Sequence, residues 1–252
     1  MAKTGIAWTD YVWNPVVGCT HAGSPGCDNC YARALHRQRH IARIVGHNMP
    51  VQYAKPFDVV QCLPERIGQP WHWKTPRRIF VNSMSDLFHD DVPYHFIHDV
   101  RQMIKKCNQH TFMILTKRAE NMSMFSKLNT NTIPNLWCGV SVENQAAADN
   151  RIPLLMTTTM GYVRFLSIEP MLGPVTLSED FLELGNRGWV IAGCESGSNR
   201  RQAQTDWFLS LRDQCVDAGI PYFLKQMEVN GKIVKEPELD GQKWLQFPGG
   251  QR

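Results

Sequence analysis

Four charged residues stand at equal intervals of 26 along the middle of this chain: Lys117, Glu143, Glu169 and Glu195. Each directly follows a short apolar run, in Leu115-Thr-Lys-Arg118, Ser141-Val-Glu-Asn144, Ser167-Ile-Glu-Pro170 and Gly193-Cys-Glu-Ser196. Six such runs read as strands, over 78–83, 111–116, 136–142, 163–168, 189–193 and 221–224. Four of the stretches between them, 94–107, 118–128, 144–156 and 204–218, have the length and polarity of helices. Strand and helix in alternation require crossover connections and therefore a parallel sheet. In a parallel (β/α) barrel the residue after each strand joins a ring at the C-terminal mouth, where ligands bind. Extending the series outward adds Ser85 and Asp86 on one side and Lys225 on the other. The expected fold class is α/β, a partial parallel (β/α) barrel.

The expected division is a barrel over 1–225, with an irregular insertion over 46–77 where five prolines interrupt any regular element. A hairpin and cap follow over 226–252, built on an Asn230-Gly231 turn and on Trp244 and Phe247 packed across the barrel. Ahead of the insertion, Ile6–Val17 reads as a first strand and Tyr31–Val45 as a helix with Tyr31, Ala34, Leu35, Ile41, Ala42 and Val45 on its apolar face. On another face Arg33, His36, Arg37, His40 and Arg43 form a basic stripe. It is either solvated or a contact for phosphates or an acidic partner, with Arg33, Arg37 and Arg43 as the candidate nucleic-acid contacts. The net charge of +4 permits such a partner without requiring it. No apolar run approaches the roughly 20 residues that span a bilayer. The chain opens on no secretory pattern, so the expectation is a cytoplasmic protein without a membrane partner.

In that compartment clustered thiols bind metal more often than they pair. Cys19, Cys27 and Cys30 fall within twelve residues, spaced Cys-x7-Cys-x2-Cys, in a loop turned by Gly18, Gly23, Pro25 and Gly26. Three thiolates converging from one loop suit a soft metal or an iron–sulfur cluster. A structural zinc needs a fourth ligand, for which His21, His36 and His40 are the candidates. A 4Fe–4S cluster on three cysteines instead leaves one iron for a ligand that is not protein. The other five cysteines have no ligand-like spacing and read as small buried hydrophobes, with Cys194 the one at a strand end.

A three-cysteine loop after the first strand of a barrel resembles the radical S-adenosylmethionine (SAM) superfamily. Its usual spacing is Cys-x3-Cys-x2-Cys, with an aromatic residue beside the last cysteine. Cys27-x2-Cys30 and Tyr31 keep that half, while the first gap lengthens to seven. More specifically, Trp13-Asn14-Pro15, Gly18-Cys19, Gly26-Cys27, Cys30-Tyr31-Ala32, Leu115-Thr-Lys-Arg118, Ser167-Ile-Glu-Pro170 and Gly193-Cys-Glu-Ser196 are similar to those of a phage- and prophage-borne radical SAM family. The resemblance runs over roughly residues 5–248.

The resemblance implies a barrel of the radical SAM type and a 4Fe–4S cluster on Cys19, Cys27 and Cys30, reduced by an external electron donor. SAM bound at the open iron would be cleaved to a 5′-deoxyadenosyl radical that abstracts hydrogen from substrate. Carried onto this chain, Ser83, Ser85 and Asp86 would meet the amino group of SAM, Lys117 its carboxylate, and Ser141 and Glu143 the ribose. Glu169 and Glu195 are left for substrate or proton transfer. The substrate implied is a modified base in DNA, flipped out to reach the mouth. The reaction would be isomerisation of an amino-acid-modified thymine from an N-linked to a C-linked form, in the host cytoplasm if the chain is phage-encoded. Arg77-Arg78, Lys117-Arg118 and Arg200-Arg201 add basic pairs that favour a phosphate-bearing partner. Two rivals stand: a radical SAM DNA-repair lyase with Cys194 as hydrogen donor, and a non-catalytic, zinc-stabilised nucleic-acid-binding protein.

Overall fold

A computed structural model describes residues 2–197 and 199–250. Its main sheet has nine strands that follow one another in sequence order: β1 (Ala2–Lys3), β2 (Tyr11–Trp13), β3 (Arg78–Val81), β4 (Thr111–Thr116), β5 (Ile133–Ser141), β6 (Gly161–Ile168), β7 (Gly188–Gly193), β8 (Tyr222–Val229) and β9 (Lys232–Lys235). Every pairing from β2 to β8 is parallel, and only the edge pairs, β1 with β2 and β8 with β9, are antiparallel. The connections carry α1 (Tyr31–Ile44), α2 (Tyr94–Lys106), α3 (Ala119–Leu128), α4 (Gln145–Met156), α5 (Glu179–Leu182) and α6 (Thr205–Asp217).

The strands read as near-continuous apolar runs because both faces of the sheet are covered. All six positions of β7 are buried. One face, with Ile79, Val81, Phe112, Ile114, Cys138, Val140, Leu166, Ile168, Val190 and Ala192, meets the helices in the larger core. The alternate residues point the other way, and Trp8, Phe80, Met113, Val163, Phe165, Trp189, Ile191, Phe223 and Phe247 converge in a second cluster. Trp189 at its centre makes ring contacts with Trp8, Trp137, Phe165, Phe223 and Phe247. Residues from β3 to β8 meet there because the sheet curls into a partial barrel. Gly139 permits the curl at β5, since a Cβ there would lie 2.6 Å from the Phe165 ring. The tail closes the apolar end: Leu224 N donates to Trp244 O at 2.8 Å, and Trp189 Nε1 donates to Gln246 O at 2.9 Å.

The four expected helices and six expected strands are all present, with shifts of a few residues at their ends. The Asn230-Gly231 turn joins β8 to β9, both residues at positive φ (51° and 74°). Two expectations need correction. The stretch Ile6–Val17 is not one strand: β2 ends at Trp13, and Val16–Val17 pairs instead with Gln61–Cys62 of the insertion. The apolar face assigned to α1 is not its buried side, for Tyr31, Ala34, Ile41 and Val45 are exposed while Ala32 and His36 are buried. The insertion decides this by covering the face that carries His36 and His40. His36 Nε2 bonds Lys55 O at 2.9 Å, and His40 Nδ1 bonds Tyr53 O at 2.7 Å. Among the described residues no helix is long and apolar enough to cross a membrane.

Candidate functional site

A cavity of about 410 Å³ opens at the C-terminal ends of the parallel strands, above the inner aromatic cluster. Cys19, Cys27 and Cys30 line it together with Ser83, Ser85, Asp86, Lys117, Ser141, Glu169, Cys194 and Glu195. Residues separated by more than 170 positions therefore share one wall, as the strand-end series requires of a barrel mouth. All three loop cysteines are free and partly buried.

The cysteine loop is seated on the strand ends at several points. At its start, Asn14 and Asn82 latch β2 to β3: Asn14 Oδ1 accepts from Ser83 Oγ and Met84 N, both at 3.2 Å, and Asn82 Oδ1 accepts from Val16 N at 3.1 Å. Ser85 Oγ donates to Val16 O at 2.7 Å, and Tyr31 hydroxyl donates to Ser83 O at 2.6 Å. Ser83 and Ser85 thus face the cavity while already bonded within the chain. Asp86 is buried and accepts from Thr116 Oγ1 (2.7 and 2.9 Å), Phe88 N (3.0 Å) and Lys117 N (3.2 Å), with Arg118 Nη1 at 3.4 Å. Arg118 also reaches the loop, with Nη1 3.6 Å from Cys19 Sγ and Nη2 3.1 Å from Thr20 Oγ1. Burial, then Asp86, pushes the Cys19 thiol up to about 11, and Arg118 opposes that rise.

At the end of β5 Glu143 is fully buried, with Lys117 Nζ 2.8 Å from Oε1 and Arg151 Nη1 2.9 Å from Oε2. Burial alone would raise its carboxyl, but the two cations outweigh burial and hold it below the ordinary carboxylate range. Glu143 lies under the loop rather than on the cavity wall: a Cβ at Gly26 would come within 2.6 Å of its Oε1. Asn144 places it there by capping α4, its Oδ1 accepting from Ala147 N at 3.0 Å, so the chain turns into the helix directly after the strand. At the end of β7 Glu195 receives Arg201 through N (2.9 Å) and Nε (3.0 Å), and Asn29 Nδ2 of the cysteine loop at 3.0 Å. Arg201 continues to Pro25 O (2.8 Å) and Asp28 (3.3 Å). Burial raises the Glu195 carboxyl, and the Arg201 hydrogen bonds more than offset this and hold it low.

Of the four equally spaced charges, three are therefore engaged beneath or beside the cysteine loop. The fourth, Glu169, pairs with Lys225 Nζ at 2.9 Å, and both line the cavity. Gly193 makes room for it, since a Cβ there would sit 2.7 Å from Glu169 Oε1. Cys194 is buried beside them, its thiol pushed up to about 11 by burial and then by Glu228.

The basic features have mostly intramolecular partners. Arg33 pairs with Asp58 at 3.0 Å, Arg43 donates to Met49 O, and Arg37 is exposed. Arg78 pairs with Asp10, Arg118 with Asp86, Arg200 with Glu228, and Arg201 with Glu195. His21, His36 and His40 bond to Asp28, Lys55 O and Tyr53 O. Among the described residues no three His, Cys, Asp or Glu side chains are grouped to hold one metal ion. Sequence reasoning missed Arg151 and Asn29 altogether, and read Arg118 and Arg201 within basic pairs that favour a phosphate-bearing partner. Asn29 stands next to Cys30, but Arg151 and Arg201 lie eight and six residues beyond their partners Glu143 and Glu195, where no local pattern marks them.

Fold and site together define a partial (β/α)-barrel protein whose C-terminal mouth carries a cavity lined in part by a three-cysteine loop. Within that class, the chain belongs to a family described as a protein of unknown function (DUF5131), whose model matches residues 3–248. No curated protein matches it, and no solved structure matches it.

Proposed function

We propose that this chain is a radical SAM enzyme with a 4Fe–4S cluster held by Cys19, Cys27 and Cys30. The observation that carries the reading is that three free thiols of one loop line a single cavity at the mouth of a partial parallel barrel. When bound, the cluster and SAM would supply one-electron cleavage and hydrogen abstraction. The chain's own part is to seat the loop, present polar groups to the cofactor and exclude water. Arg118 and the Glu195–Arg201–Asn29 group seat the loop, and Glu143 holds Lys117 at the wall. Lys117 remains the side chain for a carboxylate, and Ser83, Ser85, Asp86 and Ser141 line the same wall. Glu169 and Lys225 then face the substrate. The histidines that a zinc staple would need are turned to other partners, which favours the cluster.

Anaerobic reconstitution with iron and sulfide, followed by a dithionite-driven assay for 5′-deoxyadenosine, tests the reading. SAM cleavage that disappears in Cys27→Ala is the expected result. A colourless protein that keeps about one zinc per chain and never cleaves SAM sinks it.

For the substrate, the proposal carries an amino-acid-modified thymine base in DNA, isomerised at the mouth. With Arg33 and Arg43 already engaged within the chain, Arg37 is the candidate contact that points outward. Arg37→Glu is expected to weaken duplex binding and flatten its salt dependence; unchanged binding removes α1 from the interface. One observation favours a lyase as the second reading of the reaction: Cys194 lines the cavity with a protonated thiol, the form a hydrogen donor needs. Deuterium carried from heavy water into product, and lost in Cys194→Ala, marks the lyase; product free of deuterium marks the isomerase.

A further inference from the structure

Arg118 takes no part in the roles that the family resemblance assigns, yet it joins the cysteine loop to the barrel at the sulfur itself. Its side chain is only 9% exposed. One arm of the guanidinium, Nη1, faces Asp86 Oδ2 at 3.4 Å and Cys19 Sγ at 3.6 Å. The other, Nη2, donates to Thr20 O at 3.3 Å and Thr20 Oγ1 at 3.1 Å. Both supports are braced from behind. Asp86 is fixed by Thr116, Phe88 and Lys117, and the Thr20 hydroxyl is fixed by His89 Nε2 at 2.7 Å. A buried cation is costly, and Asp86 at 3.4 Å and Asp90 at 3.8 Å neutralise it. The fork that continues past Asp86 to the loop does something neutralisation does not require: it sets where the Cys19 sulfur lies. A planar guanidinium can divide its donors in this way, whereas an ammonium acts as a point charge.

We propose that Arg118 is the positioning residue of the cysteine loop, fixing Cys19 Sγ at the cavity wall and donating a charged hydrogen bond to that sulfur when it acts as a ligand. The second half rests on the cluster reading above. Hydrogen bonds and positive charge beside ligand sulfurs favour the reduced, more negative cluster, so they raise its reduction potential. Removing Arg118 therefore loosens one end of the loop and moves the potential in the negative direction.

Two measurements on the full chain test this. In cluster-free protein, Arg118→Gln should speed hydrogen exchange over residues 19–24 on the order of tenfold, with β4 to β7 unchanged. General destabilisation would raise exchange in the strands as well. In reconstituted protein, Arg118→Gln should shift the midpoint to more negative values, and Arg118→Lys should recover most of the potential but not the loop protection. Arg201→Gln is the control, because Arg201 holds Pro25, Asp28 and Glu195 and is not bonded to a cysteine sulfur. It should free the second half of the loop and leave the potential at the wild-type value. Wild-type exchange over 19–24 in Arg118→Gln overturns the positioning role. Equal potential shifts in Arg118→Gln and Arg201→Gln overturn the sulfur contact. A wild-type chain that takes up no cluster overturns the proposed function, and the exchange result still decides whether Arg118 holds the loop.

Discussion

Gly26 and Gly193 stand where a methyl group would collide with a carboxylate of the mouth, at 2.6 Å from Glu143 and 2.7 Å from Glu169. Neither has positive φ, so the reason for glycine at both is space rather than backbone conformation. Gly26→Ala is expected to lift the cysteine loop from Glu143, costing about 1–3 kcal/mol by overpacking and, on the proposed cluster reading, lowering iron uptake per chain. Gly68→Ala is the matched control, with nothing within 4 Å of its added Cβ and no expected change in either measurement. Glu143 itself cannot be neutralised cheaply. Glu143→Gln leaves Lys117 and Arg151 facing an uncharged group in a buried site, an expected loss of about 3 kcal/mol by denaturant unfolding.

The strand ends act together, and their behaviour with pH belongs to the elements rather than to one residue. Glu143 follows β5 and Glu195 follows β7, and their cationic and hydrogen-bonding partners hold both carboxyls below the ordinary glutamate range. A carboxyl depressed in the folded state contributes stability that is fully present above its unfolded value. That stability is lost as pH falls through the lower folded value, because the unfolded chain then binds more protons. Unfolding midpoints should therefore be insensitive to these two groups from neutral pH down to about 4.5 and should fall below it. Glu143→Gln should start less stable and fall more shallowly in acid. A slope below that pH identical to wild type would remove Glu143 from the acid response. The same two strand ends seat the loop, so acid should release it before the inner aromatic cluster opens, visible as exchange over residues 19–30 ahead of β6 and β7.

At the scale of the molecule, the curl of the sheet depends on side chains that only the closed form brings together. Trp189 is fully buried among rings contributed from before β2 to the C-terminal tail. Trp189→Ala should cost about 3–5 kcal/mol and widen the base of the cavity, read as a lower denaturant midpoint. Trp189→Phe should recover much of the loss. The sequence by itself determined the alternation of strands and helices, the Asn230-Gly231 hairpin and the strand-end position of Lys117, Glu143, Glu169 and Glu195. These follow from local periodicity and turn chemistry, which neighbouring residues carry. It also singled out Cys19, Cys27 and Cys30, because their spacing is local. Only the tertiary structure decided which face of α1 is buried, since that depends on an insertion folding back over His36 and His40. It alone decided that Glu143 and Glu195 support the loop while Glu169 and Lys225 face the cavity. Pairing partners such as Arg118 with Cys19, 99 residues apart, are set by sheet curvature and the path of a loop across the mouth, and no local pattern encodes either.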